Sequence, residues 1–281
     1  MADLFFGDRA PGEPGLALFL NAGDPPLAQL PDVLGALDAA GVDCLELAVP
    51  FPDSPTDGPV IRRSARRALA GGGVGLDDVL DVVAAARPAL RHLRIALFAD
   101  WSYTVKRLPV DDVLRRVAAA GADGFLLHGL PPRLRADYHQ AARQAGLPIV
   151  TTCYPTSPPE IVADAAAHAT AYLYLVAQYG RSGTTRAPDE AGLTQAIATL
   201  RTLTGAPIAV GFGVRSARDV ARVHGLGADA AIVGTAAVAE VERAGADGHD
   251  VAAALVELVR SLRSLRSLRS RQPARTPAAA R

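Results

Sequence analysis

The sequence predicts an α/β protein that folds as a single (β/α)8 TIM barrel. Eight short runs rich in Val, Leu, Ile and Phe alternate with longer segments in which apolar residues recur every three or four positions. Short runs that are apolar on both faces are typical of buried parallel strands, and the longer segments are typical of crossover helices. Eight such units within 281 residues are enough to close a barrel.

The predicted strands follow one another at intervals that leave room for a helix between them. They are Leu16–Asn21, Cys44–Val49, Arg94–Ala99, Gly124–Leu127, Ile149–Cys153, Ala171–Val176, Ile208–Gly211 and Ala230–Val233. The periodicity of Leu76–Ala86 predicts an additional helix before the third strand, and Met1–Gly15 is expected to plug the bottom of the barrel.

A recurring phrase supports this order of elements. Ala-Gly-Val-Asp at 40–43 returns in similar form at 120–123 and 226–229, each time just before a predicted strand. A glycine at a helix end adopts the left-handed conformation that turns the chain toward the next strand. An open doubly wound sheet is the alternative architecture, but the segment 21–26 after the first strand lacks the usual glycine-rich dinucleotide loop.

The composition narrows the function classes. Lys plus Arg and Asp plus Glu both number 29, so no global charge favours nucleic acid or anionic lipid. No apolar stretch approaches the roughly 18 residues of a membrane span, and the N-terminus does not resemble a secretion signal. Two cysteines without metal-ligand spacing predict no disulfide framework and no metal site. We therefore expect a cytoplasmic protein that acts on a small molecule.

The sequence predicts one catalytic domain and a tail. Residues 1–262 are assigned to the barrel, and residues 263–281 form a basic C-terminal tail. Near-identical Ser-Leu-Arg triplets run into this tail, and its end is rich in Arg, Pro and Ala. Such low-complexity composition predicts disorder.

Glycines after the last two strands predict a phosphate site. Gly211 and Gly213 follow strand seven, while Gly234 and Thr235 follow strand eight and precede a short helix expected at 236–241. Backbone N–H groups at glycines and at a helix N-terminus attract anions, and these two strands hold phosphate in many barrels. Glycines that serve only as tight turns are the alternative. The loop 180–183 after strand six could close over the same phosphate.

Two carboxylates belong to the second strand and its loop. Glu46 alternates with apolar neighbours in a predicted strand, so its side chain should point into the barrel. An unpaired buried charge is costly, so such a group is either hydrogen-bonded or kept neutral by a raised pKa. Asp57 lies in an Asp-Gly turn that, taken alone, would be structural. Together they could converge on one substrate as proton donor and acceptor.

The segment Glu46–Ile61 closely resembles the hallmark strand-two segment of the tryptophan synthase alpha subunit family. Further similarities occur in order at Ala22–Pro25, Tyr172–Val176, Gly211–Val214 and Ile232–Gly234, so the resemblance spans roughly residues 16–245. It implies a barrel lyase that cleaves indole-3-glycerol phosphate to indole and glyceraldehyde 3-phosphate without a cofactor. It also implies a possible partner, the beta subunit, to which indole is channelled.

The resemblance implies roles for individual residues. Glu46 matches the general acid and base that protonates indole C3 and helps to deprotonate the glycerol hydroxyl. Asp57 matches the carboxylate that stabilises charge at the indole nitrogen, so both carboxylates are predicted to be catalytic. Tyr174 matches a tyrosine near Glu46, and Phe19 matches an indole-packing position. The positions that match phosphate contacts are Gly183, Gly213 and Gly234.

Several positions depart from the usual family pattern. Asp100–Tyr103 stands where a Tyr-Asn pair is usual, and Gly129–Pro131 replaces Asp-Leu-Pro. The loop 180–183 reads Gly-Arg-Ser-Gly in place of Gly-Val-Thr-Gly, Thr235 replaces Ser, and Ser54 stands where Pro is common. A paralogue that releases free indole or accepts a modified indole is therefore a second hypothesis. A phosphosugar isomerase and a non-catalytic phosphate-binding barrel are further alternatives.

Other polar residues are interpreted as structural. His128 ends an inward-facing strand and is expected to be a hydrogen-bonded histidine rather than a substrate contact. Cys153 has no activating histidine nearby in sequence and is expected to be a packed thiol. The remaining histidines are expected to be solvated: His92, His139, His168, His224 and His249.

Overall fold

Eight parallel strands form one sheet in the computed structural model, which describes residues 5–6, 13–70, 72–177, 190–211 and 213–264. The strands are β1 (Gly15–Asn21), β2 (Cys44–Ala48), β3 (Arg94–Asp100), β4 (Gly124–His128), β5 (Thr151–Cys153), β6 (Leu173–Val176), β7 (Ile208–Gly211) and β8 (Ala230–Val233). Every bound lies within two residues of the predicted one. The prediction of a (β/α)8 barrel is confirmed.

The strand order β4-β3-β2-β1-β8-β7-β6-β5 leaves one seam, between β4 and β5. A single bridge from Phe125 to Ile149 joins these two strands, with hydrogen bonds of 2.9 Å from Phe125 N to Pro148 O and from Val150 N to Phe125 O. Beyond that bridge, toward the carboxyl ends, no pairing joins the described residues of β4 and β5. The barrel is thus closed at its base and weakly joined near the top of this seam.

Helices surround the barrel. They are α1 (Leu30–Ala39), α2 (Pro59–Ala70), α3 (Leu76–Ala86), α4 (Val110–Ala119), α5 (Arg135–Ala145), α6 (Pro159–His168), α7 (Glu190–Leu203), α8 (Ala217–Gly225), α9 (Thr235–Ala246) and α10 (Val251–Arg263). The additional helix before the third strand has the predicted bounds. None of the described helices combines the length and the apolar character that a bilayer crossing requires.

Side chains of the strands divide between two apolar layers, because successive residues of a strand point to opposite faces. The larger layer lies between the strands and the helices. The inner layer fills the barrel and includes Leu126, Val150 and Tyr172. Phe5 and Phe6 join it near the first residues of the strands, with ring centroids 5.2 Å and 5.4 Å from that of Tyr172. These two residues of the predicted plug, Met1–Gly15, lie at the base of the barrel, whereas residues 1–4 and 7–12 of that segment lie outside the described residues.

The recurring glycine phrase has the predicted local structure. Its glycines have positive φ values of 72°, 83° and 96° at Gly41, Gly121 and Gly227. The aspartate that follows each one accepts a hydrogen bond of 2.6–2.8 Å from the backbone N–H of a neighbouring strand. These aspartates are Asp43, Asp123 and Asp229. The phrase therefore ends a helix and also joins two strands at the base of the barrel.

Candidate active site

A cavity of about 420 Å³ opens at the carboxyl ends of the strands, where the loops after β2, β4, β7 and β8 meet. This volume is typical of a small-molecule site. All the predicted site residues within the described part of the chain line it: Phe19, Glu46, Asp57, Tyr174, Gly211, Gly213, Gly234 and Thr235. The remaining one, Gly183, lies outside the described residues.

Glu46 lies in the middle of β2, in register with Phe19 of β1 and Ala96 of β3. Only 2% of its surface is exposed. The hydroxyl of Tyr172 donates a hydrogen bond of 2.6 Å to Oε1 of Glu46. Burial raises the pKa of the Glu46 carboxyl from 4.5 to about 7, although this hydrogen bond acts in the opposite direction. Both protonation states are therefore accessible near neutral pH, as a group that gives and takes a proton requires.

Two tyrosines face the barrel interior near Glu46: Tyr172, directly before β6, and Tyr174 within it. The predicted residue, Tyr174, lines the cavity, and burial followed by the nearby carboxylates of Glu46 and Asp57 raises its pKa. Its ring covers Gly211 so closely that a Cβ atom at this glycine would collide with the tyrosine hydroxyl. The direct hydrogen-bond partner of Glu46 is Tyr172, which the sequence analysis missed. The alternation of side chains along a strand could have identified Tyr172, because residues two apart, such as Tyr172 and Tyr174, point to the same face.

Asp57 is half-buried at the end of the loop after β2 and lines the same cavity. Burial raises the pKa of its carboxyl, while a hydrogen bond with Ser54 and the electrostatic interactions with His128 and Arg62 act to lower it. The hydrogen bond and the two basic side chains favour the ionised form. Ser54, which stands where Pro is common, therefore stabilises the ionised carboxylate of Asp57 through its hydroxyl group.

An aromatic wall bounds the cavity on the side of β1, β3 and β4. The ring of Phe19 meets that of Phe98 edge to face at a centroid distance of 6.2 Å, and Phe98 stacks on His128 at 6.0 Å with an interplanar angle of 20°. No pattern in the sequence distinguishes Phe98 as a site residue. His128 is expected from the sequence to be a hydrogen-bonded structural residue, whereas its ring lines the cavity close enough to influence Asp57.

The opposite end of the cavity has the composition of an anion site. Gly213 has a φ of 60°, a conformation that glycine adopts without strain. Helix α9 begins at Thr235, directly after Gly234, and both residues line the cavity. The N–H groups of the first turn of a helix have no partners within the helix and favour an anion. Arg215 also lines this end, although no pattern in the sequence distinguished it from surface arginines.

The unusual segment after β3 is organised by its own residues. Asp100 is buried and accepts hydrogen bonds of 2.8 Å and 3.1 Å from the backbone N–H groups of Ser102 and Tyr103. Tyr103 stacks on Phe51 at a centroid distance of 5.5 Å with an interplanar angle of 26°. Since Phe51 belongs to the loop after β2, the loops after β2 and β3 are held together at the mouth of the cavity.

The expectation that His139 is solvated is wrong. It is 8% exposed, because α5 and α6 pack together and stack its ring on that of His168 at 3.9 Å and 10°. Burial and then the charge of His168 lower the pKa of His139 to about 4. With Asp164, these are the described residues whose ligand atoms could meet at a metal ion, within 4.8 Å of one another. A metal lies in the plane of a ligating imidazole, so the two parallel rings cannot both bind one ion as arranged.

Comparisons with known proteins point to one family. A family model described as "Tryptophan synthase alpha chain" matches residues 5–266. The tryptophan synthase alpha chain of Acidithiobacillus ferrooxidans is 36% identical over 255 residues, which cover 91% of this chain and 92% of that one. The corresponding protein of Acaryochloris marina is 38% identical over 238 residues, covering 85% and 88% of the two chains.

Solved structures show the same similarity. Tryptophan synthase subunit alpha from Legionella pneumophila superposes with a TM-score of 0.79 at 29% identity, covering 89% of this chain and 92% of that chain. A chain of Mycobacterium tuberculosis tryptophan synthase gives a TM-score of 0.79 at 28% identity, covering 93% and 97%. The match to the family model spans all of the described residues. The chain therefore belongs to the tryptophan synthase alpha chain family.

Proposed function

We propose that this chain is a carbon-carbon lyase that cleaves indole-3-glycerol phosphate to indole and glyceraldehyde 3-phosphate by a retro-aldol reaction. The observation that carries the proposal is that Glu46, with a pKa of about 7, and Asp57 line one cavity. That cavity has an aromatic wall on one side and the glycine turns after β7 and β8 on another. A substrate with an aromatic ring and a phosphate matches this arrangement.

The substrate is oriented by its two ends. The phosphate binds the N–H groups at Gly213 and Gly234 and at the start of α9, where positive φ and the helix terminus favour an anion. The indole ring packs against Phe19 and Phe98, which face each other edge to face. In this orientation the bond to be broken lies over the interior of the barrel, where Glu46 is held.

Glu46 moves the protons of the reaction. In its neutral form it gives a proton to C3 of the indole ring, which turns the ring into an electron sink with positive charge at the nitrogen. The hydroxyl on the adjacent carbon then loses its proton to the Glu46 carboxylate, and its O–H electrons form the aldehyde C=O. The electrons of the broken carbon-carbon bond return to the ring and restore neutral indole. A pKa near 7 suits both steps.

Asp57 and Tyr172 support this chemistry in different ways. The ionised Asp57 carboxylate stabilises the positive charge that develops at the ring nitrogen, and it is most effective in a site with little water. Tyr172 does not need to touch substrate. Its hydrogen bond of 2.6 Å holds the Glu46 side chain in one orientation, so we assign it a positioning role.

The same chain is proposed to work without strict dependence on a beta subunit. One segment that departs from the usual family pattern is Asp100–Tyr103. Within the chain itself, Asp100 accepts a hydrogen bond from the backbone of this segment, and Tyr103 stacks on Phe51. Loop closure that a partner would otherwise induce is thus partly built in. A role as an ordinary channelling subunit is the competing reading. Nothing in the described part of the chain favours a phosphosugar isomerase or a non-catalytic barrel.

Substitution of the two carboxylates tests the proposed function. Glu46→Gln keeps the volume of the side chain but cannot shuttle a proton, and Asp57→Asn keeps the shape but removes the charge. We expect each to lower kcat for indole formation by roughly 10²–10⁴-fold, with an unchanged circular dichroism spectrum. Glu257→Gln, on the exposed face of α10, is the matched control and should retain full activity. Near-normal turnover in Glu46→Gln would refute the assignment.

A further inference from the structure

The catalytic cavity extends through the wall of the barrel. Its lining includes Leu126 and Val150, which belong to the inner apolar layer, together with Leu127 and Ile149, which pack in the outer layer against the helices. Thr151 of β5 also lines it, although its hydroxyl points outward and donates a hydrogen bond of 2.8 Å to the backbone of α6. A cavity that reaches both faces of two adjacent strands passes between them.

The pairing of the strands explains the opening. β4 and β5 are joined only by the bridge between Phe125 and Ile149, and no ladder joins their described residues above it. In a fully paired sheet, strands lie about 4.8 Å apart and leave no passage for a ligand. The seam is therefore the place where the cavity leaves the interior and enters the space under α5 and α6.

The space beyond the seam is a side branch of the cavity, lined by Tyr138, Ile149, Ile161 and Ala165. These walls are mainly apolar, although His139 and Thr151 also line the cavity on this side. The hydroxyl of Tyr138 is buried and has no hydrogen-bond partner among the described residues. A buried hydroxyl without a partner is unfavourable and is satisfied by a ligand that offers a donor. At the far end, Arg135 and Asp164 form an ion pair at 3.1 Å with about a third of each side chain exposed.

We propose that the side branch is a second binding site for indole and the path by which indole leaves the catalytic cavity. This inference rests on the proposed function, because it takes indole as the product. Indole is planar and largely apolar, and its single N–H group can donate a hydrogen bond to the unpartnered hydroxyl oxygen of Tyr138. The phosphorylated product carries charge and does not suit apolar walls. The two products thus leave by different routes.

Crystals soaked with 5-bromoindole test the binding site. Anomalous scattering from bromine should show two positions, one beside Asp57 and one between α5 and α6 next to Tyr138. Tyr138→Phe should lose the second position and keep the first, because it removes only the hydroxyl that accepts the N–H group. Bromine confined to the catalytic cavity would overturn the proposal. So would an unchanged second position in Tyr138→Phe, which would mark binding at crystal concentration only.

The rate at which indole leaves the protein tests the path. Ala165→Leu places a larger side chain in the branch, and Ala163→Leu makes the same change on the exposed face of α6. In stopped-flow dilution of the indole complex, we expect Ala165→Leu to slow dissociation at least about fivefold and Ala163→Leu to match the wild type. Ile161→Ala, which widens the branch, should accelerate dissociation and replaces Ala165→Leu if that variant does not fold.

The two hypotheses fail in distinguishable ways. A chain that forms no indole from indole-3-glycerol phosphate contradicts the proposed function, whatever the branch binds. If the chain forms indole but indole dissociates at the same rate from the wild type, Ala165→Leu and Ile161→Ala, only the proposed path is contradicted.

Discussion

Tyr172, directly before β6, donates a hydrogen bond of 2.6 Å to Glu46 on β2, across the interior of the barrel. A hydrogen bond donated to a carboxylate favours its ionised form and so lowers its pKa. In Tyr172→Phe this effect is lost, and we expect the pKa of Glu46 to rise further above its usual range. The pH at which kcat changes through ionisation of Glu46 should move upward.

The pH dependence of kcat for wild type, Tyr172→Phe and Tyr174→Phe checks this expectation. Tyr174 lines the cavity but makes no hydrogen bond to Glu46 in the described structure, so its variant is the matched control. We expect Tyr174→Phe to alter the rate without moving the ionisation of Glu46. An equal displacement in the two variants would assign the effect to general packing rather than to the hydrogen bond.

The raised pKa of Glu46 also predicts a pH-dependent stability. Because this pKa is about 7 in the folded chain and 4.5 in an exposed glutamate, the stability associated with the neutral form is fully present below pH 4.5 and is lost as the pH rises through 7. The loss amounts to about 3 kcal/mol. Glu46→Gln does not titrate, so relative to wild type it should gain stability by about this amount from pH 4.5 to pH 8.

Urea denaturation of wild type and Glu46→Gln at these two pH values measures the difference. Glu257→Gln, whose side chain is exposed, should follow the wild type at both. A stability difference between wild type and Glu46→Gln that is the same at pH 4.5 and pH 8 would show that burial does not perturb Glu46.

His128 is expected to influence the ionisation of Asp57. Its electrostatic interaction lowers the pKa of Asp57, against the effect of burial. In His128→Phe the stacking on Phe98 can be kept while the charge is removed, so the pKa of Asp57 should rise. The acid limb of the kcat/KM profile should then move to higher pH. Phe98→Leu changes the aromatic wall without a change of charge, and an equal movement of its acid limb would contradict the electrostatic role.

The sequence predicted most of the barrel because its elements are determined locally. The four-residue phrase that contains Gly41 and Asp43 is enough to predict the end of a helix. The structure shows that this phrase also joins neighbouring strands. The predicted carboxylates were recognisable in the same way, since Glu46 and Asp57 belong to one strand and its loop.

Other features depend on contacts between distant segments. Tyr172 meets Glu46 from 126 residues away, and the stacking of His139 on His168 arises only when α5 and α6 pack. The opening between β4 and β5 depends on pairing that stops after one bridge, although the composition of the two strands is ordinary. Contacts between such distant segments cannot be predicted from the periodicity of any single segment.

Two substitutions of Gly234 separate the effect of side-chain charge from that of side-chain size at the anion end of the cavity. A Cβ atom at this glycine would have its nearest contacts at 3.8 Å, from Ile61 and Phe19, which is ordinary van der Waals distance. Gly234→Ala should therefore bind phosphate nearly as well as wild type, whereas Gly234→Asp places a negative charge beside the start of α9. We expect Gly234→Asp to weaken binding of inorganic phosphate by roughly tenfold or more, measured by calorimetry. Equal weakening in both variants would indicate a steric effect.

Independence from a beta subunit is the last expectation. Tyr103 stacks on Phe51, and Asp100 accepts two backbone hydrogen bonds, so the mouth of the cavity is ordered by the chain itself. A partner then has less ordering to contribute, and we expect a beta subunit from the same source to raise steady-state indole formation by less than about tenfold. Tyr103→Ala removes the stacking, so its isolated chain should lose activity and should gain more from the partner than wild type does. Activation of wild type by tenfold or more, with no greater effect on Tyr103→Ala, would return this chain to the ordinary channelling role.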